Sequence, residues 1–205
     1  MKKSNFASND KFCESQHLRQ LSDMRWTQFA VLVVAGVGFG LSFRLNQLLD
    51  SYFVYSPGIS LLFIPAGVKL LSVLVGRLPA VIGILIVSVY LGAGIWPDKS
   101  MVTVFSFAFV SLMTYPVASY IVMRVVGIHR DLYNLRYWHI VALSLAASAL
   151  NGVVHNIEYV IEGVSDSESQ WGNTAAMALG DFLGCFVVVS LFHTATLLLS
   201  KKRQD

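Results

Sequence analysis

Five of the polar or ionisable side chains inside the long apolar stretches of this sequence are candidates to bind a ligand. They are Arg44, Lys69, Asn151, His155 and Asp181. An ionisable group in hydrocarbon is costly unless it is paired or wetted, so each of these residues marks a candidate site. Because cationic, anionic and amide groups occur together, the set suits a small polar or anionic ligand.

Two structural interpretations compete with a ligand site. Asp181 could form a buried ion pair with Lys69 or Arg44 that holds three helices in register. The long side chain of Arg44 could instead extend to a nearby membrane interface. Asn151 and His155 are four residues apart, so they share one face of a helix under either interpretation. The residue pattern leaves these alternatives open.

The sequence predicts no metal site, no haem site and no enzyme activity. His155 and His193 fall near opposite faces of the membrane, whereas two axial haem ligands must face each other at one depth. The two cysteines, Cys13 and Cys185, form no metal-type pair and are expected to be free thiols. We find no nucleophile elbow and no phosphate loop with its lysine.

The elements that must position these side chains are transmembrane helices. Of 205 residues, 55% are hydrophobic and 13% are charged, whereas soluble domains carry about 25% charged residues. Six apolar runs have about the 20 residues needed to cross a bilayer, and they lack the alternation of barrel strands. The runs are 27–49, 59–76, 79–96, 101–126, 138–160 and 175–200. The prediction is an all-α bundle of six transmembrane helices in one domain, 27–200.

The basic residues predict the orientation of this bundle. With the N-terminus in the cytoplasm, most of the 15 Lys and Arg residues fall in cytoplasmic segments, and the external loops hold only Lys99. Both termini are therefore expected in the cytoplasm, as a polar tail at 1–26 and a basic end at 201–205. A short helix is expected at 18–24 of the tail. No basic stripe indicates nucleic-acid binding.

The predicted topology gathers the polar side chains in the external half of the membrane. At ~1.5 Å of rise per residue, Lys69 lies near the midplane. The other four candidate residues lie between the midplane and the external interface. The sequence therefore predicts a polar cavity that opens toward the outside.

Three short elements resemble the membrane-associated sensor domain of type one, the MASE family. They are Pro65 and Gly67 at the start of the second helix, the turn Gly76-Arg77, and Gly180-Asp181-Phe182-Leu183-Gly184 in the last helix. The resemblance extends over roughly residues 27–200. Ile64 departs from it, because the family often has an aromatic residue there, and no fused output domain follows. The resemblance implies a multi-pass protein of the bacterial inner membrane.

The expected function is that of a stand-alone sensory or regulatory membrane domain. It would bind a small ligand, or the helices of a membrane partner, in its external half. It would signal through a separate protein partner, such as a kinase, a cyclase or a transporter. An alternative is the substrate-binding membrane subunit of a vitamin-type transporter, which the chain matches in size and helix number alone. A membrane scaffold is the third option.

Overall fold

A computed structural model describes residues 4–56, 58–166 and 168–201, with side chains described for 24–56, 58–166 and 168–199. The described residues form five α-helices and one short antiparallel β-hairpin. In chain order these are α1 (Ser4–Phe53), β1 (Val54–Ser56), β2 (Ile59–Ser60), α2 (Ile64–Ile95), α3 (Met101–Val126), α4 (Tyr137–Ile161) and α5 (Gln170–Lys201). The predicted all-α bundle is confirmed.

Each helix contains a stretch that is long and apolar enough to cross a membrane. The stretches are Met24–Phe53, Ile64–Ile95, Met101–Val126, Tyr137–Ile161 and Gln170–Leu199. Large apolar side chains are exposed on the outer faces of all five helices, as expected where lipid is the solvent. These features support a multi-pass membrane protein.

Helix α1 extends much further toward the N-terminus than the run predicted at 27–49. It begins at Ser4 and is continuous to Phe53, whereas the sequence predicts a separate short helix at 18–24. The reason is the absence of helix-breaking residues, since no Gly or Pro precedes Gly36 in the chain. The predicted ends at 1–3 and 202–205 lie outside the described residues.

Helix α2 covers the second and third predicted runs as one element with a break inside it. Arg77 has φ 54° and ψ −143°, which are not helical values. The break falls within the turn predicted at Gly76–Pro79. The helix begins at Ile64 rather than at Ile59, because Ile59 belongs to β2 and Pro65 occupies the first helical turn. The structure therefore gives five helices where the sequence predicts six.

The half of α2 before Arg77 runs antiparallel to α1. Near its start, the N–H of Ile64 donates to Oδ1 of Asn46 at 2.9 Å. Near its end, a Cβ placed on Gly76 would lie 3.1 Å from Val31. As α2 advances from residue 64 to 76, its α1 neighbour therefore moves back from residue 46 to 31.

The half of α2 after Arg77 runs parallel to α1. Gly83 packs against the backbone of Leu32, and Val87 packs against Gly36 and Gly40. Here both residue numbers rise together, so the chain reverses direction at Arg77. The start and the end of α2 consequently lie at the same end of the bundle as β1 and β2. We call this the hairpin end, and the opposite end the Arg77 end.

Helix α5 approaches the β2–α2 connection closely enough that only glycine fits. A Cβ on Gly180 would collide with the carbonyl oxygen of Ser60, and one on Gly184 with that of Phe63. The N–H of Phe63 also donates to the carbonyl oxygen of Gly180 at 3.0 Å. Since Asp181 lies between the two glycines, this contact fixes its position in the bundle.

Candidate ligand-binding site

A cavity of about 270 Å³ enters the bundle from the hairpin end. Its lining extends from Asp50 and Val54 at the rim to Lys69 and Asp181 in the interior. At ~30 Å³ per water molecule, this volume equals about nine waters. The space therefore suits a small metabolite rather than a large cofactor.

Asp181 is held rigidly at the inner end of the cavity. Its exposed fraction is 2%. Its Oδ2 accepts two hydrogen bonds, from Asn151 Nδ2 at 2.5 Å and from the Tyr115 hydroxyl at 3.1 Å. Thr114 Oγ1 donates to Oδ1 of Asn151 at 3.1 Å, which turns the amide nitrogen toward Asp181. Among the described residues, none donates a hydrogen bond to the other carboxylate oxygen, Oδ1.

Lys69 also lines the buried part of the cavity, and only 5% of its surface is exposed. Its Nζ donates to Ser111 Oγ at 2.7 Å. Nζ also lies 5.7, 5.8 and 5.5 Å from the ring centroids of Phe39, Phe63 and Tyr115, respectively. These distances are typical of cation–π contacts. One hydroxyl and three aromatic rings thus surround the ammonium group.

Lys69 and Asp181 both contribute to the cavity wall without touching each other. Among the described side chains, neither group forms an ion pair within 4.0 Å. The direct contact between Lys69 and Asp181 that a structural ion pair requires is therefore not made. Two opposite charges instead face one cavity from separate positions.

His155 occupies the cavity wall on α4 and is oriented by a carboxylate. Its Nδ1 lies 3.1 Å from Oε2 of Glu158, and the side chains are only 9% and 11% exposed. Because a carboxylate accepts hydrogen bonds, Nδ1 is the donor. Glu158 Oε1 accepts a second bond from Ser106 Oγ at 2.5 Å. The hydrogen bond to Glu158 thus orients the imidazole.

An aromatic wall, formed by Trp96, Phe107 and Tyr159, lines the cavity beside His155. The ring centroids are 5.8 Å apart for Trp96 and Phe107, 5.9 Å for Trp96 and Tyr159, and 5.2 Å for Phe107 and Tyr159. All three pairs are edge-to-face, the geometry that aromatic quadrupoles favour. The cavity therefore combines a polar interior with an apolar side.

The structure brings four of the five sequence-predicted site residues together. Lys69, Asn151, His155 and Asp181 all line the cavity. Arg44 does not: its side chain is exposed, and Nη1 donates to Oε1 of the neighbouring Gln47 at 2.9 Å. Arg44 is therefore not part of the cavity wall.

The residues that resemble the MASE family separate into two groups. Gly67 packs against the backbone of Gly184, so the motifs containing Pro65, Gly67, Gly180 and Gly184 meet beside Asp181. Gly76 and Arg77 lie at the Arg77 end, where Arg77 Nη2 reaches Oδ1 of Asp131 at 3.3 Å in an exposed ion pair. Only the first group can influence the cavity directly.

Sequence reasoning missed the contribution of α3 and the partner of His155. Ser111, Thr114 and Tyr115 are spaced i, i+3 and i+4, which places them on one helix face. That spacing was available in the sequence as a signal. Glu158 is also readable, since it follows His155 by three residues.

Cys185 is buried and free, and the side chain of Cys13 lies outside the described residues. Within the part of the chain that the structure describes, no three His, Cys, Asp or Glu side chains are grouped to hold a metal ion.

Comparison of the chain with protein-family models, with curated proteins and with solved structures finds no match.

Proposed function

We propose that this chain is a sensory or regulatory membrane domain that binds a small polar ligand in its cavity. The observation that carries the proposal is the pair of buried charges, Lys69 and Asp181, that share a cavity without contacting each other. A buried charge without a partner is costly, so groups of this kind mark ligand pathways and binding sites. The resemblance to the MASE sensor domains supports the same role.

The proposed topology has six membrane-crossing segments. The reversal at Arg77 supports counting α2 as two of them, which puts the two chain termini on one side. The concentration of Lys and Arg in segments on that side favours the cytoplasm of a bacterial inner membrane. The cavity would then open toward the outside.

Transmission of the signal is proposed to run along α1 and α5. Both helices contribute to the cavity, through Phe39 and Asn46 on α1 and through Met177 and Asp181 on α5. Both also continue toward the opposite end of the bundle, where a kinase, a cyclase or a transporter could contact them. A ligand that prefers one of two helix packings would shift their populations and hence the output.

The test is a thermal-unfolding screen of the purified protein in mild detergent against small metabolites. A ligand that occupies the cavity will raise the unfolding temperature of the wild type. Asp181→Asn, which keeps the side-chain shape, should abolish the shift, and Arg44→Gln should retain it because Arg44 lies outside the cavity. An equal shift in the wild type and in Asp181→Asn would contradict the proposed site.

Affinity purification of the same protein identifies its output partner. Recovery of a histidine kinase or a cyclase supports signalling. Recovery of a coupling ATPase would instead favour the transporter alternative.

A further inference from the structure

We infer that the cavity binds a small zwitterion, with its anionic group at Lys69 and its cationic group at Asp181. This inference deepens the proposed function and rests on it. Neither charged group alone would specify such a ligand. Two opposite charges that do not touch each other, and the apolar surface beside them, together specify it.

Tyr115 contacts both charged groups through different parts of its side chain. Lys69 Nζ lies over its ring, 5.5 Å from the ring centroid, and its hydroxyl donates to Asp181 Oδ2 at 3.1 Å. Tyr115 is fully buried, so it cannot move aside without opening the core. Its ring and its hydroxyl therefore hold Lys69 and Asp181 in separate positions on the cavity wall.

Lys69 retains donors for an anion. An ammonium group has three N–H bonds, and Ser111 accepts one of them at 2.7 Å. The three rings stabilise positive charge through their faces, but they do not replace a carboxylate as an acceptor. A carboxylate of the ligand would provide the strong acceptor that no described side chain supplies within 4.0 Å.

Asp181 retains an acceptor for a cation. Oδ2 takes both hydrogen bonds, from Asn151 and Tyr115, which orients the carboxylate. Oδ1 then remains for the ligand. An ammonium or quaternary amine placed there would neutralise a charge that is 98% excluded from solvent, since only 2% of Asp181 is exposed.

The aromatic wall limits the rest of the ligand. Trp96, Phe107 and Tyr159 present apolar surface between the charged interior and the hairpin end. A zwitterion with a compact apolar group would cover this surface. A cavity of about 270 Å³ has room for a molecule the size of an amino acid or a betaine.

The decisive comparison uses probes with one carbon skeleton. We would measure binding to the purified full chain in detergent by calorimetry and by thermal unfolding. The probes are the standard L-amino acids and glycine betaine. The best amino acid is then compared with its decarboxylated amine and its deaminated acid, such as isoamylamine and isocaproate for leucine. Each analogue should bind at least about tenfold more weakly, because it leaves one buried charge unpaired.

Two variants assign the charges to the residues. In Lys69→Met, the zwitterion and its amine should bind equally, and in Asp181→Asn, the zwitterion and its acid should bind equally. If Lys69→Met does not fold, Ser111→Ala removes the hydrogen-bond partner of Lys69 and should reduce the preference for the carboxylate. Arg44→Gln is the matched control and should keep the full preference.

The outcomes separate this inference from the proposed function. If an amine or an acid binds in the cavity as tightly as the best zwitterion, the inference is overturned and the proposed ligand site remains. The same conclusion follows if only uncharged metabolites bind. If no small molecule of any class binds to the cavity, the proposed function fails together with the inference.

Discussion

Asn151 donates a hydrogen bond of 2.5 Å from Nδ2 to Oδ2 of Asp181, across the interface between α4 and α5. Removing the amide leaves a buried carboxylate with one fewer partner, at a cost of about 1–3 kcal/mol. We therefore expect Asn151→Ala to lower the free energy of unfolding in detergent by roughly 2 kcal/mol. Ligand binding should weaken as well, since Asp181 loses its orientation.

Asn156 is the control for this experiment. It is equally buried and lies on the same helix, but its Nδ2 donates to the carbonyl oxygen of Gly152 at 2.9 Å and it does not line the cavity. Asn156→Ala should change stability without changing ligand affinity. If both variants lose affinity by the same factor, the hydrogen bond between Asn151 and Asp181 has no specific role.

The Tyr115 hydroxyl can be separated from its ring by substitution. Tyr115→Phe removes the donor to Asp181 and keeps the face that contacts Lys69, and a hydrogen bond to a charged group contributes about 1.5–3 kcal/mol. Tyr115→Leu also removes the cation–π contact, which adds about 0.5–2 kcal/mol. The free energy of unfolding should therefore fall in Tyr115→Phe and fall further in Tyr115→Leu, and chemical unfolding of both variants measures the two losses.

The control for Tyr115 is Tyr120 on the same helix, whose side chain is 63% exposed. Tyr120→Phe should change the free energy of unfolding by less than about 0.5 kcal/mol. A loss as large as that of Tyr115→Phe would mean that the buried hydroxyl is not special.

Much of the fold was predictable because long apolar runs leave few alternatives to helices. The break in the middle of α2 was readable from Gly76 and Pro79, since both disfavour a continuous helix. The extension of α1 to Ser4 was missed, because hydropathy marks where a helix can enter lipid and does not mark where the helix begins; the absence of Gly and Pro before Gly36 was the signal for it. The β-hairpin was also missed, since β1 and β2 are only three and two residues long.

The site was predictable where an ionisable residue stood out against its apolar neighbours, as Lys69 and Asp181 do. It was not predictable where ordinary residues acquire a role by position. Phe39 and Phe63 look like any other apolar residues, and only the tertiary structure brings their rings to Lys69. Tyr115 on α3 contacts both Lys69 on α2 and Asp181 on α5, and a one-dimensional pattern cannot reveal this link.

The close approach of α5 to the β2–α2 connection predicts a low tolerance for larger residues at Gly180. A Cβ there would collide with the carbonyl oxygen of Ser60, and overpacking of this kind costs about 1–3 kcal/mol. Gly180→Ala should therefore destabilise the protein and displace Asp181, with loss of ligand binding. Thermal unfolding and calorimetry measure the two effects.

Gly38 on α1 is the matched control for Gly180. A Cβ on Gly38 would meet no atom within 4 Å, and alanine is the better helix former by about 0.5–1 kcal/mol. Gly38→Ala should therefore stabilise the protein slightly and leave binding unchanged. Equal destabilisation by both substitutions would show that the Gly180 contact is not the cause.

Arg77 adopts a backbone conformation that favours glycine, with φ 54° and ψ −143°. Such a conformation costs a non-glycine residue about 1–3 kcal/mol. Arg77→Gly should therefore raise the unfolding temperature, even though it removes an exposed ion pair with Asp131 that contributes about 0–1 kcal/mol. Asp131→Ala measures the ion pair alone. If Arg77→Gly lowers stability more than Asp131→Ala does, the backbone at Arg77 is not strained.

The reversal of the chain at Arg77 determines on which side of the membrane the α2–α3 connection lies. If α2 comprises two crossing segments, Tyr55 in β1 and Lys99 after α2 lie on the same side. If α2 crossed once, they would lie on opposite sides. Tyr55→Cys and Lys99→Cys, each placed in a Cys13→Ser, Cys185→Ala background, distinguish these topologies by labelling of intact cells with a membrane-impermeant maleimide.

We expect both substituted positions to be labelled without permeabilisation, because the proposed orientation, which follows the positive-inside rule, has the hairpin end outside. Arg130→Cys, in the connection between α3 and α4, should be labelled only after permeabilisation. The exposure of Arg130 to solvent makes it a fair control for reactivity. Labelling of Tyr55→Cys and Lys99→Cys from opposite sides would contradict six crossing segments. If Tyr55→Cys and Lys99→Cys are both labelled only from the cytoplasm, the orientation is the reverse of the proposed one and the cavity opens inside the cell.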